Sequence, residues 1–369
     1  MKYYLIAGEA SGDLLGAHLM RALQQVDPHA EFRFWGGDRM KEVAGEPVRH
    51  IRDLAIMGFV EVAMHLRTVL GNISFCKRDI MATKPDAVIG IDYPGFNLKI
   101  EKWAHAHGIR TIHYVSPQLW AWKKGRIKGM RQYLDSLCYL LPFEQQFYAA
   151  NHMPQATYVG HPLIDIIRTQ KTGLQTPNPE HPLIVLLPGS RKNEIRHNLP
   201  PMLRLAQRHP EYRFSVAAMS LVGEEFYRSI LNTSDISVSL VYDQTYHLLS
   251  QAHAAVVCSG TATLETALFH VPQVVCYRAN PISIAIAKTL VGRRINHIAL
   301  VDLIDDSDLV TELLQQDFND QRLETEFNLI ATDEATRRHM LEGYRRVEAR
   351  LCGPGASLRA AQTIIDTIR

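Results

Sequence analysis

The sequence predicts an α/β protein built from two doubly wound parallel-sheet domains in tandem. Three observations carry this. Short apolar runs alternate with amphipathic stretches from the first residues onward, the β-α-β rhythm of a parallel sheet covered on both faces. The rhythm breaks once, at 169–182 (TQKTGLQTPNPEHP), a stretch rich in Pro, Thr and Asn without periodicity, and then restarts, so this stretch reads as a linker. The 369 residues exceed what one ordinary core supports.

The elements follow in order. Residues 3–7 read as a strand and 14–25 as a helix with one apolar stripe; 87–91, after Lys84-Pro85-Asp86, read as a buried strand, 98–107 as a helix, and 111–115 and 136–140 as strands. After the linker come strands at 183–187, 212–217, 237–241, 254–258 and 273–277, with helices near 197–208, 223–232, 245–251 and 263–269 between them. Helices near 308–317, 333–351 and 356–368 close the chain. The domains are therefore expected at 1–168 and 183–345, with a C-terminal helical segment at 346–369. That segment can either pack back on the first domain or exchange between protomers.

Composition narrows the class. With 46% hydrophobic and 21% charged residues, the chain has the make-up of an ordinary globular protein. A net charge of +2 gives no reason to expect nucleic acid. The five cysteines never approach a CxxC spacing and read as buried free thiols of a reducing compartment. The N-terminus lacks a signal-peptide pattern, and no run of about 20 uninterrupted apolar residues predicts a transmembrane helix.

The chemistry is expected at the strand ends. Leu186-Leu187-Pro188-Gly189-Ser190-Arg191 and Cys258-Ser259-Gly260-Thr261-Ala262-Thr263-Leu264-Glu265 each join a buried strand to a helix through a tight turn. Free backbone N–H groups and the positive helix end make such a turn an anion site. Two in one sheet suit a diphosphate, and Arg191 adds a planar fork for phosphate oxygens. The second half is thus expected to hold a nucleotide. In the first half, Gly8-Glu9-Ala10-Ser11-Gly12-Asp13, Gly90-Ile91-Asp92-Tyr93-Pro94-Gly95 and Ser116-Pro117 follow strands, where doubly wound folds place ligands.

These motifs, with Met57-Gly58-Phe59-Val60-Glu61-Val62, His113-Tyr114-Val115-Ser116-Pro117, Trp120-Ala121-Trp122, Leu141-Pro142-Phe143-Glu144 and Val159-Gly160-His161-Pro162 in register, closely resemble the lipid-A-disaccharide synthase family, from about residue 3 to beyond 345. The resemblance implies two Rossmann-like domains facing a cleft (GT-B). It also implies an inverting, metal-independent transfer of a 2,3-diacylglucosamine unit from its UDP-sugar to 2,3-diacylglucosamine 1-phosphate through a β-1,6 bond. The first domain would take the acceptor and the second the donor. The partners implied are these two lipids, the cytoplasmic face of the inner membrane as a peripheral surface, and a second copy of the chain as a candidate; no cofactor and no nucleic acid are expected. A UDP-N-acetylglucosamine 2-epimerase-like enzyme is the alternative on the same architecture.

Asp92 is the expected general base, since inverting transfer needs a group to take the acceptor hydroxyl proton; a turn or capping Asp is the competing reading. Gly189, Ser190, Arg191, Ser259, Gly260, Thr261 and Glu265 are expected on the donor, Glu265 on ribose hydroxyls. Glu9, Ser11, Gly12, Asp13 and Ser116 are expected on the acceptor, although Ser11 or Asp13 could equally cap a helix starting at Leu14; His18 reads as packing. Asp306-Ser307-Asp308 has the look of a metal-binding DxD but precedes an apparent helix, and no His, Cys and Asp cluster has ligand spacing. Leu300-Val301-Asp302-Leu303 departs from the family, which usually carries Asn where Asp302 stands. Five cations between Lys123 and Arg131, beside Trp120 and Trp122, would suit an RNA, but with the overall charge nearly balanced an anionic membrane surface or the acceptor phosphate is favoured, and a solvated helix face fits as well. The apolar stretch 56–73 reads as an interfacial helix or acyl groove, or as ordinary core.

Overall fold

The computed structural model describes residues 1–54, 66–120, 124–170, 180–232, 238–278 and 297–369. The chain forms two compact units, Met1–Pro162 with Leu351–Arg369, and Leu163–Arg350. Each is an open parallel sheet packed by helices.

Unit 1 carries seven strands: β1 Lys2–Ala7, β2 Glu31–Gly36, β3 Arg49–His50, β4 Ala87–Ile91, β5 Arg110–Tyr114, β6 Ser136–Tyr139 and β7 Ala156–Tyr158. Their order is β3-β2-β1-β4-β5-β6-β7, and every pairing is parallel. The order reverses between β1 and β4, whose ends align Ala7 with Ile91. Such a switch point leaves a crevice at the carboxyl ends of the two strands. Strands β1 and β4 are buried along nearly their whole length, as continuous apolar runs covered on both faces must be.

The last helix, Ala356–Ile368, belongs to unit 1. It packs on the helix Ala10–Val26 and on β5 and β6, burying Ala360, Ala361, Ile364 and Ile365. Arg359 Nε donates to the carbonyl of Val159 at 2.9 Å. The positive φ of Gly160 and the proximity of the Arg359 guanidinium, 2.6 Å from where a Cβ would sit, leave room there for glycine alone.

Unit 2 repeats the plan with β8 Leu183–Leu187, β9 Arg213–Ala218, β10 Ser239–Tyr242, β11 Ala252–Cys258, β12 Gln273–Tyr277 and β13 Thr311–Leu314, ordered β10-β9-β8-β11-β12-β13. Its switch point lies between β8 and β11, with Leu187 aligned to Val257.

Several expectations are corrected. Within 308–317, Thr311–Leu314 form β13, paired with β12. A short apolar run fits either periodicity, and an open ladder beside β12 decides for the strand. Asp306-Ser307-Asp308 therefore precedes a strand. The first helix begins at Ala10 instead of Leu14, because Glu9 in extended conformation already serves as its N-cap. Of the expected linker, Thr169 and Gln170 end the helix Leu163–Gln170, and 171–179 lie outside the described residues. Four cysteines are buried, but Cys352 is exposed. The part of 56–73 up to 65, and residues 121–123, also lie outside the described residues. No helix among the described residues is long and apolar enough to cross a membrane.

One contact inside unit 1 is unusually dense. His113 Nδ1 and Glu101 Oε1 meet at 2.7 Å with both side chains fully buried, and a Cβ added at Gly90 would collide with that carboxylate and come within 2.9 Å of the Asn97 Cβ. Overpacking and disruption of a buried hydrogen-bonded pair both act here. Gly90→Ala is expected to destabilise the protein by roughly 3 kcal/mol, read as a lower urea midpoint; a cost near zero would show that the pair can shift without loss.

Candidate active site

In unit 1 the switch point is held by one side chain. Asn97 is fully buried on the helix Pro94–His105. Its Nδ2 faces three carbonyls, Ile6 at 3.1 Å, Ile91 at 3.4 Å and Asp92 at 2.7 Å. It thereby ties the end of β1 to the end of β4 and fixes the backbone of Asp92. Asp92 and Tyr93 both adopt left-handed conformations, with φ of 48° and 50°. Asp tolerates this region better than most residues, and two successive non-glycine residues there store backbone strain. The Asp92 N–H donates to the Tyr114 carbonyl at 2.9 Å. Gly8 completes the junction: a Cβ there would lie 2.5 Å from the Tyr93 ring, so only glycine lets the two turns meet. Burial, then the nearby Glu9 carboxylate, raises the Tyr93 hydroxyl above its ordinary pKa. Asp92 is half-buried, as are Glu9 and Ser11.

Asp13 behaves differently from the expectation of a cap on its own helix. Its Oδ1 accepts from Gly37 N at 2.6 Å and Met40 N at 3.1 Å, and Oδ2 from Arg39 N at 3.0 Å. The carboxylate thus satisfies the N-terminal amides of the next helix, Asp38–Ala44, where an anion is favoured by orphan donors and the dipole. Starting the helix at Ala10 turns Asp13 inward, and burial raises its pKa against the pull of those amides.

Ser116 is buried beyond β5, just after Val115, whose φ of 71° is an outlier for a β-branched residue. Ser116 Oγ hydrogen-bonds the Tyr148 hydroxyl and also the buried Glu144 carboxyl. Glu144 Oε2 further accepts from Leu141 N at 3.2 Å. Burial pushes the Glu144 carboxyl up to about 8, so it carries its proton at neutral pH.

In unit 2 both expected turns lie at the switch point. Gly189 has φ 122° and would meet Glu194 with any Cβ. The turn already holds a carboxylate: Glu194 Oε2 accepts from Ser190 N at 3.1 Å and Arg191 N at 3.3 Å, while Arg191 Nη1 donates to Oε1 at 3.2 Å. The helix Lys192–Arg208 accordingly starts five residues earlier than expected. Gly260, with φ 146°, is the N-cap of the helix Thr261–Leu268, and no side chain caps that end. Ser259 Oγ donates to the Ile298 carbonyl at 3.4 Å. Glu265 accepts from the Tyr246 hydroxyl at 2.7 Å, and enclosure by protein raises its carboxyl above the ordinary range. Asn198 repeats the role of Asn97. Its Nδ2 donates to the Pro188 carbonyl at 3.2 Å and reaches Cys258 Sγ at 3.3 Å, and its Oδ1 accepts from Arg278 N at 3.0 Å. The ends of β8, β11 and β12 are joined through this one amide.

Residues 3–353 match the family profile described as Lipid-A-disaccharide synthetase. The chain belongs to the lipid-A-disaccharide synthase family. A lipid-A-disaccharide synthase of Chromohalobacter salexigens is 38% identical, over 99% of this chain and 96% of its own length. That of Acidobacterium capsulatum is 37% identical over 98% and 94%, and that of Trichlorobacter lovleyi 32% over 99% and 97%. Among solved structures, a Staphylococcus aureus MnaA–UDP co-structure superposes with a TM-score of 0.68 at 14% identity, over 100% of this chain and 95% of the other. A UDP-GlcNAc 2-epimerase from Neisseria meningitidis bound to UDP-GlcNAc gives 0.63 at 13%, over 100% and 99%. These likenesses show a shared fold, so the epimerase alternative gains nothing from them over the synthase reading.

Sequence reasoning missed Asn97, Asn198, Glu144 and Tyr148. A signal was present for the first two: each is a carboxamide on the apolar stripe of its helix, between Phe96 and Ile100 or between Ile195 and Met202. It also missed a cluster of His297, Asp302 and Glu312, whose ligand atoms all lie within 4.8 Å of one another, because their spacing matches no common ligand pattern. Asp302 itself is a loop tie, its Oδ1 accepting from Leu309 N at 2.9 Å and Val310 N at 3.2 Å.

The raised Glu144 carboxyl gives a signed pH dependence. An unfolded Glu ionises above about pH 4.3, whereas in the fold the proton stays on until about 8. The stabilisation is therefore full at low pH and lost as pH rises through this window, at up to about 1.4 kcal/mol per pH unit. Glu144→Gln is expected to flatten the fall in melting temperature between pH 5 and 8; an unchanged slope would show that another group carries it.

Proposed function

We propose that the chain joins UDP-2,3-diacylglucosamine to 2,3-diacylglucosamine 1-phosphate through a β-1,6 bond, releasing UDP. The acceptor's primary hydroxyl oxygen attacks the anomeric carbon as the bond to UDP breaks, with inversion. Asp92 takes the hydroxyl proton. The observation that carries this role is the strained left-handed turn at the β1/β4 switch point, which fixes the Asp92 backbone through Asn97 and Tyr114. Strain of this kind persists where surrounding structure over-determines it and is concentrated at reacting sites.

Glu9, Ser11 and Gly12 line the same end of the sheet and bind acceptor hydroxyls, with Asp13 shaping the turn from behind. Ser116 acts with the protonated Glu144 as a donor pair toward the acceptor. In unit 2, the amides of Gly260 and Thr261 with the Ser259 hydroxyl hold the diphosphate, and the Ser190 amide joins them when Glu194 releases it. Gly189 permits the first turn, Arg191 leaves Glu194 to neutralise the departing UDP, and Glu265 accepts from ribose hydroxyls. Preorganised amides and a guanidinium stabilise the leaving charge without a metal.

Because both substrates carry acyl chains, the protein works peripherally on the anionic inner-membrane surface. Lys124, Lys128 and Arg131 are exposed around the helix Arg126–Tyr133, and Leu70 and Met81 are exposed on the helix Leu66–Thr83. Such cations and apolar side chains suit an anionic interface.

The test is transfer to radiolabelled acceptor in detergent or anionic vesicles. Asn tolerates the left-handed conformation as well as Asp does, so Asp92→Asn is expected to fold normally and lose about 10²–10⁴-fold in kcat. Arg191→Ala is expected to lose about 10–100-fold in kcat/KM, the worth of a charged hydrogen bond. No disaccharide from folded wild type would overturn the reaction; full kcat in Asp92→Asn would move the base to Glu9 or Asp13.

A further inference from the structure

Unit 2 carries a second constellation with its own chemistry. His297 Nδ1, Asp302 and Glu312 converge so that one ligand atom from each lies within 4.8 Å of the others. Ligands about 2.1 Å from one ion in tetrahedral array lie about 3.4 Å apart, so binding an ion draws the three side chains together by about an ångström. The two carboxylates are already oriented by backbone donors. Asp302 Oδ1 is held by the amides of Leu309 and Val310, and Glu312 by those of Ile298 at 2.8 Å and Ala299 at 2.6 Å. Such outer contacts are what aim the ligands of metal centres.

The decisive atom is Asp302 Oδ2. The Asp302 residue is fully buried, and Oδ2 has no hydrogen-bond donor among the described residues. His297 Nδ1 stands 4.0 Å from it. A buried carboxylate oxygen without a hydrogen-bond donor, facing a second carboxylate, is costly, and a cation between them lowers that cost. Asp302, His297, Glu312 and Asp308 line a cavity of about 500 Å³, which gives an ion access. Asp308 is almost wholly exposed, with its Oδ1 3.5 Å from His297 Nδ1, within reach of a fourth coordination position.

We infer that His297, Asp302 and Glu312 form a binding site for a divalent transition-metal ion of the zinc type, closed by Asp308 or water. An imidazole with two carboxylates suits Zn²⁺ or Co²⁺, whereas Mg²⁺ and Ca²⁺ favour six or more oxygens. The site is separate from the proposed transfer chemistry. Its structural effect is to fasten the segment from His297 to Asp302, on whose Ile298 carbonyl Ser259 rests.

The test uses tag-free, chelator-treated full-length protein titrated with Co²⁺ and then Zn²⁺. One equivalent of Co²⁺ is expected to give visible d–d absorption that Zn²⁺ abolishes, and Zn²⁺ is expected to raise the melting temperature, as any ligand of the folded state does. Asp302→Asn keeps an oxygen for the Leu309 and Val310 amides and removes the charged ligand. His297→Ala leaves the loop tie intact, so it decides the matter alone if Asp302→Asn does not fold. Each variant is expected to bind Co²⁺ at least about tenfold more weakly, since even outer-shell changes cost 10–100-fold. Absence of the wild-type spectrum, or wild-type affinity in a folded variant, would overturn the site.

Discussion

Both working turns of this protein depend on one interaction made twice, a buried carboxamide that ties together the ends of neighbouring strands. At a switch point two parallel strands end side by side and their chains leave in opposite directions. The last carbonyls there have no ladder partner, and a buried carbonyl without a donor is costly. Asn97 answers this in unit 1 and Asn198 in unit 2. Each sits on the helix that leaves the switch point, so the helix, the strand ends and the turn move as one body. A hydrophobic residue of similar size would pack, but it would leave those carbonyls unpaired and the turns unfixed.

That anchoring lets unit 1 hold unfavourable backbone where the chemistry is proposed. Asp92, Tyr93 and Val115 all take positive φ at the ends of the adjacent strands β4 and β5. The missing side chain of Gly8, the packed Tyr93 ring and the Asn97 amide act together on this turn. The buried His113–Glu101 pair lies beneath Gly90 of β4, so the strand carrying Asp92 is braced from both its end and its flank. Unit 2 uses positive-φ glycines instead, at Gly189 and Gly260, the residue that lets backbone come close to a bound group.

Electrostatics divide the acidic residues by environment. Asp13 and Glu194 each satisfy a helix N-terminus, so their charges serve the fold. Burial raises the Glu144 carboxyl, which favours its protonated form beside Ser116. Asp92, half-buried and on a turn, is the carboxylate proposed to accept a proton. Residue type alone does not distinguish these four; their neighbours do.

The sequence by itself determined the doubly wound class, the tandem arrangement and the positions of the strand-end turns where the chemistry is proposed. Unbroken apolar runs such as 87–91 and 183–187 mean strands covered on both faces, and Gly-rich punctuation after them means strand-to-helix turns. Both signals are local, and the ordered motifs also carried the family. What only the tertiary structure decided involves partners far apart in the chain. Whether 308–317 is helix or strand depended on an open ladder beside β12. The true role of Asp13 depended on the amides of a helix some 25 residues later. The convergence of His297, Asp302 and Glu312 depended on β13 bringing Glu312 beneath the segment before Leu300. No periodicity encodes such encounters, because they are set by which surfaces the folded sheet places face to face.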